Sequence, residues 1–254
     1  MNAQTPLRNE VGLITADPTP TLLGLLEVTG IDSVVIDAEQ TALTVATCAD
    51  AVQRLRGSGV RVGIRVPSLD DDCLLAFANT GADELVLPRV RRIEQLSRAH
   101  RATRFPPIGE RPRQLSPASR YGTAYVQVPV LSVLVETADA VDAIEQFAAH
   151  PLFEGAWIGP TDLQDDLARC GRSAELDAAV QRVIDVVVAS GHPIGLPAPS
   201  AARAGEVHQR GANRAAVYWE REEIAALRAL VAIRDADDAL SSRYNDASSS
   251  ELKG

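Results

Sequence analysis

A single-domain α/β fold, the (β/α)8 TIM barrel, is the class the sequence predicts, and three observations predict it. Eight short apolar runs alternate with amphipathic stretches, glycines follow most of those stretches, and 254 residues is the usual size of one such barrel. The strands are expected at Val11–Thr15, Ser33–Asp37, Arg61–Arg65, Glu84–Leu87, Val130–Val135, Ala156–Ile158, Ile194–Leu196 and Arg214–Val217, each a run rich in Val, Ile, Leu or Ala. Between them, Thr21–Thr29, Ala42–Arg56, Asp70–Thr80, Arg91–Arg101, Thr137–Ala149, Leu176–Ser190, Ala201–Gln209 and Glu220–Ala239 carry apolar residues near helical spacing. Gly30, Gly57, Gly81, Gly191 and Gly211 stand where a left-handed cap ends a helix. A doubly wound open sheet is the alternative, but no glycine-rich dinucleotide turn follows the first strand.

Residues 1–240 read as one domain, with no composition shift to mark a second, and the polar, serine-rich 241–254 reads as a disordered tail. The Pro- and Arg-rich Phe105–Gln127 is too long for an ordinary connection and is expected to be a functional loop.

Composition excludes several function classes. A net charge of −9 argues against nucleic-acid or anionic-membrane partners. No apolar stretch reaches the roughly 20 residues of a membrane span, and MNAQTPLRNE lacks a signal peptide's apolar core. Cys48, Cys73 and Cys170 have no paired spacing and read as reduced thiols of a cytoplasmic protein. Lysine occurs once, at Lys253 in the polar tail, so Schiff-base chemistry, which needs a desolvated amine on a rigid element, is out.

In such a barrel the reactive groups stand at the carboxyl ends of the strands. Those ends carry Asp37 and Glu39, Arg65, Glu136, and Asp162 within Gly159-Pro160-Thr161-Asp162. Hard ions such as Mg²⁺ or Mn²⁺ take oxygen ligands and keep open positions for a chelating substrate, which Glu136 with Asp162 would satisfy. An arginine beside them, Arg65, would neutralise an enolate or carboxylate oxygen. The four histidines, His100, His150, His192 and His208, read as surface or capping residues. The arginines at 89, 91, 92, 98, 101, 104, 111 and 113 form a local basic stretch that reads as a solvated helix face, with attraction of an anionic substrate or a phosphate as the alternative.

These residues resemble a known family. From Gly12 to about Ala232 the chain is similar to the HpcH/HpaI aldolases, class II metal-dependent enzymes acting on pyruvate and related 2-oxo acids. The resemblance lies in VVIDAEQ (34–40), GIRV (63–66), ADELVLPRV (82–90), RFPPIGER (104–111), VLVET (133–137) and WIGPTDL (157–163). It implies a (β/α)8 barrel in a homo-oligomer, a hexamer or trimer of dimers, with the final helix exchanged between subunits. It implies Glu136 and Asp162 as ligands of a divalent ion (Mg²⁺ or Mn²⁺, with Co²⁺ a further candidate), Arg65 as the enolate-stabilising arginine, and Gly159 and Thr161 as contacts of the substrate carboxylate.

The departures are informative. Where such aldolases carry a histidine after the acidic pair, this chain has Gln40, and where they support it with an aspartate late in the third helix, it has Asn79. Both partners have become amides, which cannot exchange protons near neutral pH. Leu134 replaces a substrate-contacting glutamine, and Pro112 a glycine. The resemblance thus implies a metal-dependent carbon–carbon lyase or synthase on a small 2-oxo acid such as pyruvate or oxaloacetate, working through a metal-bound enolate or a polarised keto group without the usual base. Gln40 would orient a water or a carbonyl, with Asn79 also at the substrate, or else Asp37 or Glu39 has taken over as base. Alternatives are a citrate-synthase-like condensation with oxaloacetate as electrophile and a non-catalytic metal and 2-oxo acid binder.

Overall fold

The computed structural model describes residues 7–113, 115–123 and 127–234. Eight parallel strands close into a barrel in sequence order. They are β1 (Glu10–Thr15), β2 (Ser33–Asp37), β3 (Arg61–Arg65), β4 (Glu84–Leu87), β5 (Val130–Val135), β6 (Ala156–Ile158), β7 (Ile194–Pro197) and β8 (Arg214–Tyr218). Five lie where the apolar runs place them, and the other three gain one residue at an end.

Helices α1 (Pro20–Thr29), α2 (Val45–Leu55), α3 (Asp71–Ala78) and α4 (Ile93–Thr103) cross back between the first five strands. Thr19 and Thr44 cap α1 and α2, their hydroxyls accepting from Leu22 N at 3.2 Å and Thr47 N at 3.2 Å. The five cap glycines all have positive φ. The stretch expected as one helix over Thr137–Ala149 is two, α5 (Ala138–Asp142) and α6 (Ile144–Ala148), because Ala143 leaves helical geometry at φ −95°, ψ 5°. Helix α7 (Pro160–Arg169) was not anticipated. Helix α8 (Leu176–Ala189) matches its expected span, and α9 (Ala204–Gln209) follows a 3₁₀ turn at Ala201–Arg203.

The chain divides into two units, Met1–Tyr218 and Trp219–Gly254. The first holds the barrel; in the second a helix is described over 219–234, and the tail expected at 241–254 lies outside the described residues.

The barrel interior is layered. Ile14, Val35, Val86, Leu134, Trp157 and Ala216 form an apolar layer, with Tyr218 packed against it. Toward the amino-terminal end lies a buried polar layer centred on Glu84. Its Oε1 accepts from Arg214 Nη1 at 2.9 Å, from Trp157 Nε1 at 3.2 Å and from the Ser132 hydroxyl. Three donors on one oxygen offset the cost of burying that charge. The Trp157 ring lies across Gly195, where an added Cβ would stand 2.2 Å from Cε3, so only glycine fits there.

The long segment from Phe105 belongs to the opposite end from the one expected of a functional loop. It connects a helix to the next strand, and its contacts are with helix ends: Ala118 N donates to Asn79 O at 3.3 Å and Arg56 Nη2 to Pro117 O at 3.3 Å. Arg111, 1% exposed, pins it from within by donating to Ala78 O, Thr103 O and Gln127 O, with its guanidinium 4.6 Å from the Phe105 ring.

Candidate active site

Asp37 ends β2 and is buried. Its Oδ1 accepts from the backbone N–H of Glu39 at 3.1 Å and of Gln40 at 3.2 Å, which folds the strand end into a tight turn. The carboxylate also grips Arg65 at the end of β3 through two contacts, Nε to Oδ1 at 2.9 Å and Nη2 to Oδ2. A two-point carboxylate–guanidinium pair fixes orientation as well as charge. Glu39 stands 3.5 Å from Arg65 Nη1 and 3.0 Å from Arg89 Nη2. Its Oε2 is buried without a hydrogen-bond partner, and burial raises its pKa against the pull of both arginines.

Glu136 follows β5 directly. Its Oε1 accepts from the backbone N–H of Arg89 at 2.6 Å. Arg89 can present that N–H because it adopts φ 54°, a left-handed conformation that costs a non-glycine residue roughly 1–3 kcal/mol. Burial, with Glu39 and Asp162 nearby, pushes the Glu136 carboxyl up to about 7 despite that hydrogen bond. Asp162 sits in the first turn of α7, where the helix dipole favours a negative charge.

Two adjoining cavities meet at Asp162. The first, about 490 Å³, is lined by the apolar layer below and by Arg65, Gly159, Thr161 and Asp162 above. The second, about 560 Å³, is lined by Glu39, Gln40, Glu136, Asp162 and Asp165 together with Arg89, Arg91 and Arg169. The strand-end residues singled out from the sequence are therefore brought to one face, Asp37 reaching it through Arg65. Asn79 is not among them. Its side-chain oxygen accepts from Arg111 Nη2 at 2.8 Å and Nε at 3.2 Å, and it lines neither cavity, so the expected support of Gln40 by Asn79 is not formed within the chain.

Two further expectations are corrected. His100 is buried, its Nε2–H donating to Leu152 O at 2.7 Å, because α4 turns that face onto the barrel. The arginines of 89–113 are not one solvated face: Arg104 is buried and pairs with both oxygens of Glu154 at 2.8 Å, and Arg89 and Arg91 line the second cavity. Their position just past β4 was the signal for this, by the same strand-end rule that located Arg65. Helix α7 had a signal too, a proline at its first position and an aspartate in its first turn.

Among the described residues no three His, Cys, Asp or Glu side chains form a metal cage, and no helix is long and apolar enough to cross a membrane. Glu136 and Asp162 remain as a carboxylate pair in mutual electrostatic reach.

A family model, HpcH/HpaI aldolase/citrate lyase, matches residues 11–225. The chain belongs to the HpcH/HpaI aldolase/citrate lyase family. Its relatives in that family include a 5-keto-4-deoxy-D-glucarate aldolase of Klebsiella pneumoniae subsp. pneumoniae, 29% identical over 220 residues that cover 82% of this chain and 85% of the relative. A solved HpcH/HpaI aldolase/citrate lyase family protein from Burkholderia cenocepacia J2315 superposes with a TM-score of 0.79 at 25% identity, covering 93% of this chain and 96% of that one. The citrate lyase beta subunit of M. tuberculosis, solved with oxaloacetate and magnesium, shares the fold at a TM-score of 0.55 and 17% identity over 86% of this chain and 94% of its own. The family match spans all eight strands, and the barrel found here is the HpcH/HpaI architecture.

Proposed function

We propose that the chain is a divalent-metal-dependent carbon–carbon lyase or synthase whose substrate is a small 2-oxo acid, pyruvate or oxaloacetate, and that it works without an imidazole base. The observation that carries this reading is the meeting of Glu136, Asp162 and a carboxylate-locked Arg65 around one cleft. The donor set fits a hard ion of the Mg²⁺, Mn²⁺ or Co²⁺ kind, since two carboxylates leave the remaining positions for water and substrate oxygens. The close approach of Glu136, Asp162 and Glu39 concentrates negative charge that a cation would relieve. When bound, such an ion acts as a Lewis acid on the keto oxygen.

The chain's own groups then divide the work. Arg65 presents its guanidinium to a developing oxyanion and cannot swing away while Asp37 holds it. The first turn of α7, at Thr161 and Asp162, turns its unpaired backbone N–H groups toward a substrate carboxylate. Gln40 orients a water or a carbonyl by hydrogen bonding and moves no proton near neutral pH. Asp37 and Glu39, the remaining candidates for base, are both committed to arginine. Breaking the C3–C4 bond of oxaloacetate needs no base, because departing carbon dioxide leaves its electron pair behind. A homo-oligomer belongs to the same reading, supported by the exposed Ile224, Leu227, Leu230 and Val231 on the helix over 219–234, and so does a cytoplasmic location.

The test is proton NMR in D₂O with Mg²⁺ or Mn²⁺. Oxaloacetate should disappear faster than in the metal-only control while the pyruvate methyl signal persists. Exchange of that methyl would reveal a competent base, and failure of both reactions would overturn the reading.

A further inference from the structure

We propose that Tyr218 is the proton donor of the first cavity, delivering its hydroxyl proton to C3 of the enolate that carbon–carbon cleavage leaves behind. The inference rests on the lyase or synthase reading of that cleft and adds the group that completes the product. Base-free cleavage of oxaloacetate ends on an enolate, and an enolate becomes pyruvate only when C3 gains a proton. The lining of the cavity, about 490 Å³, offers few sources for it. Among its described residues the aliphatic side chains and the prolines have no proton to give. The Trp157 indole N–H is given to Glu84 at 3.2 Å. Burial works to lower the Arg65 pKa, but the hydrogen bond and charge of Asp37, then Glu39 and Tyr218, raise it on balance, so Arg65 keeps its protons. Asp162 belongs to the carboxylate pair, and the Thr161 hydroxyl is a far weaker acid than a phenol. Tyr218 is the phenol of the set, a group acidic enough to serve and protonated near neutral pH.

Its place in the barrel is the second observation. Tyr218 is the last residue of β8, in register with Ile14 of β1, at the carboxyl end where the cleft opens. Its side chain packs on the apolar layer that floors the cavity, and the phenol is in electrostatic reach of the Arg65 guanidinium. A substrate whose carboxylate meets the first turn of α7 and whose enolate oxygen meets Arg65 has C3 left to face the remaining lining, which is apolar but for Tyr218. The same guanidinium favours the phenolate that the transfer creates. The reverse transfer, from the pyruvate methyl, needs that phenolate at the start and runs uphill, so the expectation that the pyruvate methyl persists in D₂O stands.

The step balances. The C3–C4 bond breaks, carbon dioxide leaves and the pair of that bond stays behind as the enolate. C3 then takes the Tyr218 proton, and the phenolate regains one from water. Two substitutions test this, Tyr218→Phe and 4-aminophenylalanine in place of Tyr218, the second keeping the ring and an N–H without an acidic proton. Each protein receives oxaloacetate with Mg²⁺ in one tube, where carbon dioxide, enolpyruvate and pyruvate are timed separately. A second tube supplies enolpyruvate, generated from phosphoenolpyruvate by a phosphatase. The wild type should release carbon dioxide and pyruvate in step and hasten the ketonisation of enolpyruvate over the metal-only control. Both variants should turn over more slowly, with enolpyruvate appearing ahead of pyruvate and ketonisation falling by about 100-fold or to the control rate. Ketonisation left at the wild-type rate in either variant, or no acceleration by the wild type, overturns the assignment and leaves the lyase reading standing. Carbon dioxide release abolished in both variants overturns it too, because the cleavage needs no acid, and marks Tyr218 as structural. Absence of carbon dioxide above the metal-only control in the wild type overturns the lyase reading instead, and the enolpyruvate tube then decides Tyr218 alone.

Discussion

Replacing Gly195 with alanine tests how the floor of the first cavity is built. The added Cβ would stand 2.2, 2.4 and 2.5 Å from Cε3, Cδ2 and Cζ3 of Trp157, against 3.4 Å for ordinary contact. The indole must therefore retreat by about 1 Å or more, and its N–H is tied to Glu84 at 3.2 Å. Overpacking of this size costs about 1–3 kcal/mol, and losing a hydrogen bond to a charged acceptor adds about 1.5–3 kcal/mol. The expected destabilisation is about 3–5 kcal/mol, read as a lower urea midpoint with a red-shifted Trp157 emission in a Trp219→Phe background. Trp157→Phe removes the clashing ring edge, so the double variant should be more stable than the sum of the two single changes by about 1 kcal/mol or more. A Gly195→Ala protein within about 0.5 kcal/mol of wild type, or strictly additive changes, would refute this account of the floor.

Two other outcomes are expected. Asp37→Asn should leave the barrel folded but free Arg65 from its two-point clamp, lowering kcat on oxaloacetate by about 100-fold, and retention of wild-type turnover would remove Arg65 positioning from the mechanism. His100 has its pKa lowered from 6.5 by burial and then by Arg104, with Glu154 and the Leu152 carbonyl acting in the opposite sense and His150 adding to the lowering. The unfolded chain therefore takes up a proton that the folded chain refuses, so this residue's contribution to stability falls as pH drops below about 7 and the loss is complete below the folded pKa. Urea midpoints of wild type and His100→Gln between about pH 7.5 and pH 5.5 should diverge in slope accordingly, and parallel slopes would show that His100 does not titrate differently on unfolding.

The sequence alone determined the barrel and the placement of most of the residues that line its cleft. Ser33–Asp37 is buried throughout and Val130–Val135 from Leu131 onward, so mostly apolar runs mark them, and each ends at or just before the acid it presents to the cleft. Asp37, Arg65 and Glu136 were legible for that reason, since their position follows from a local fact, the end of a strand, and Asp162 lies one helical turn beyond such an end. What only the tertiary structure decided are pairings between distant segments. Arg111 takes the oxygen of Asn79 across 32 residues, and the N–H of Arg89 reaches Glu136 across 47. Glu84 gathers Ser132, Trp157 and Arg214 inside the barrel, and Arg91 falls on a cavity rather than on open solvent. Periodicity reports which face of an element is apolar; it holds no information about which polar group from another strand will close on it. That choice depends on barrel closure and on backbone geometry such as the left-handed turn at Arg89, both set by packing of the whole chain.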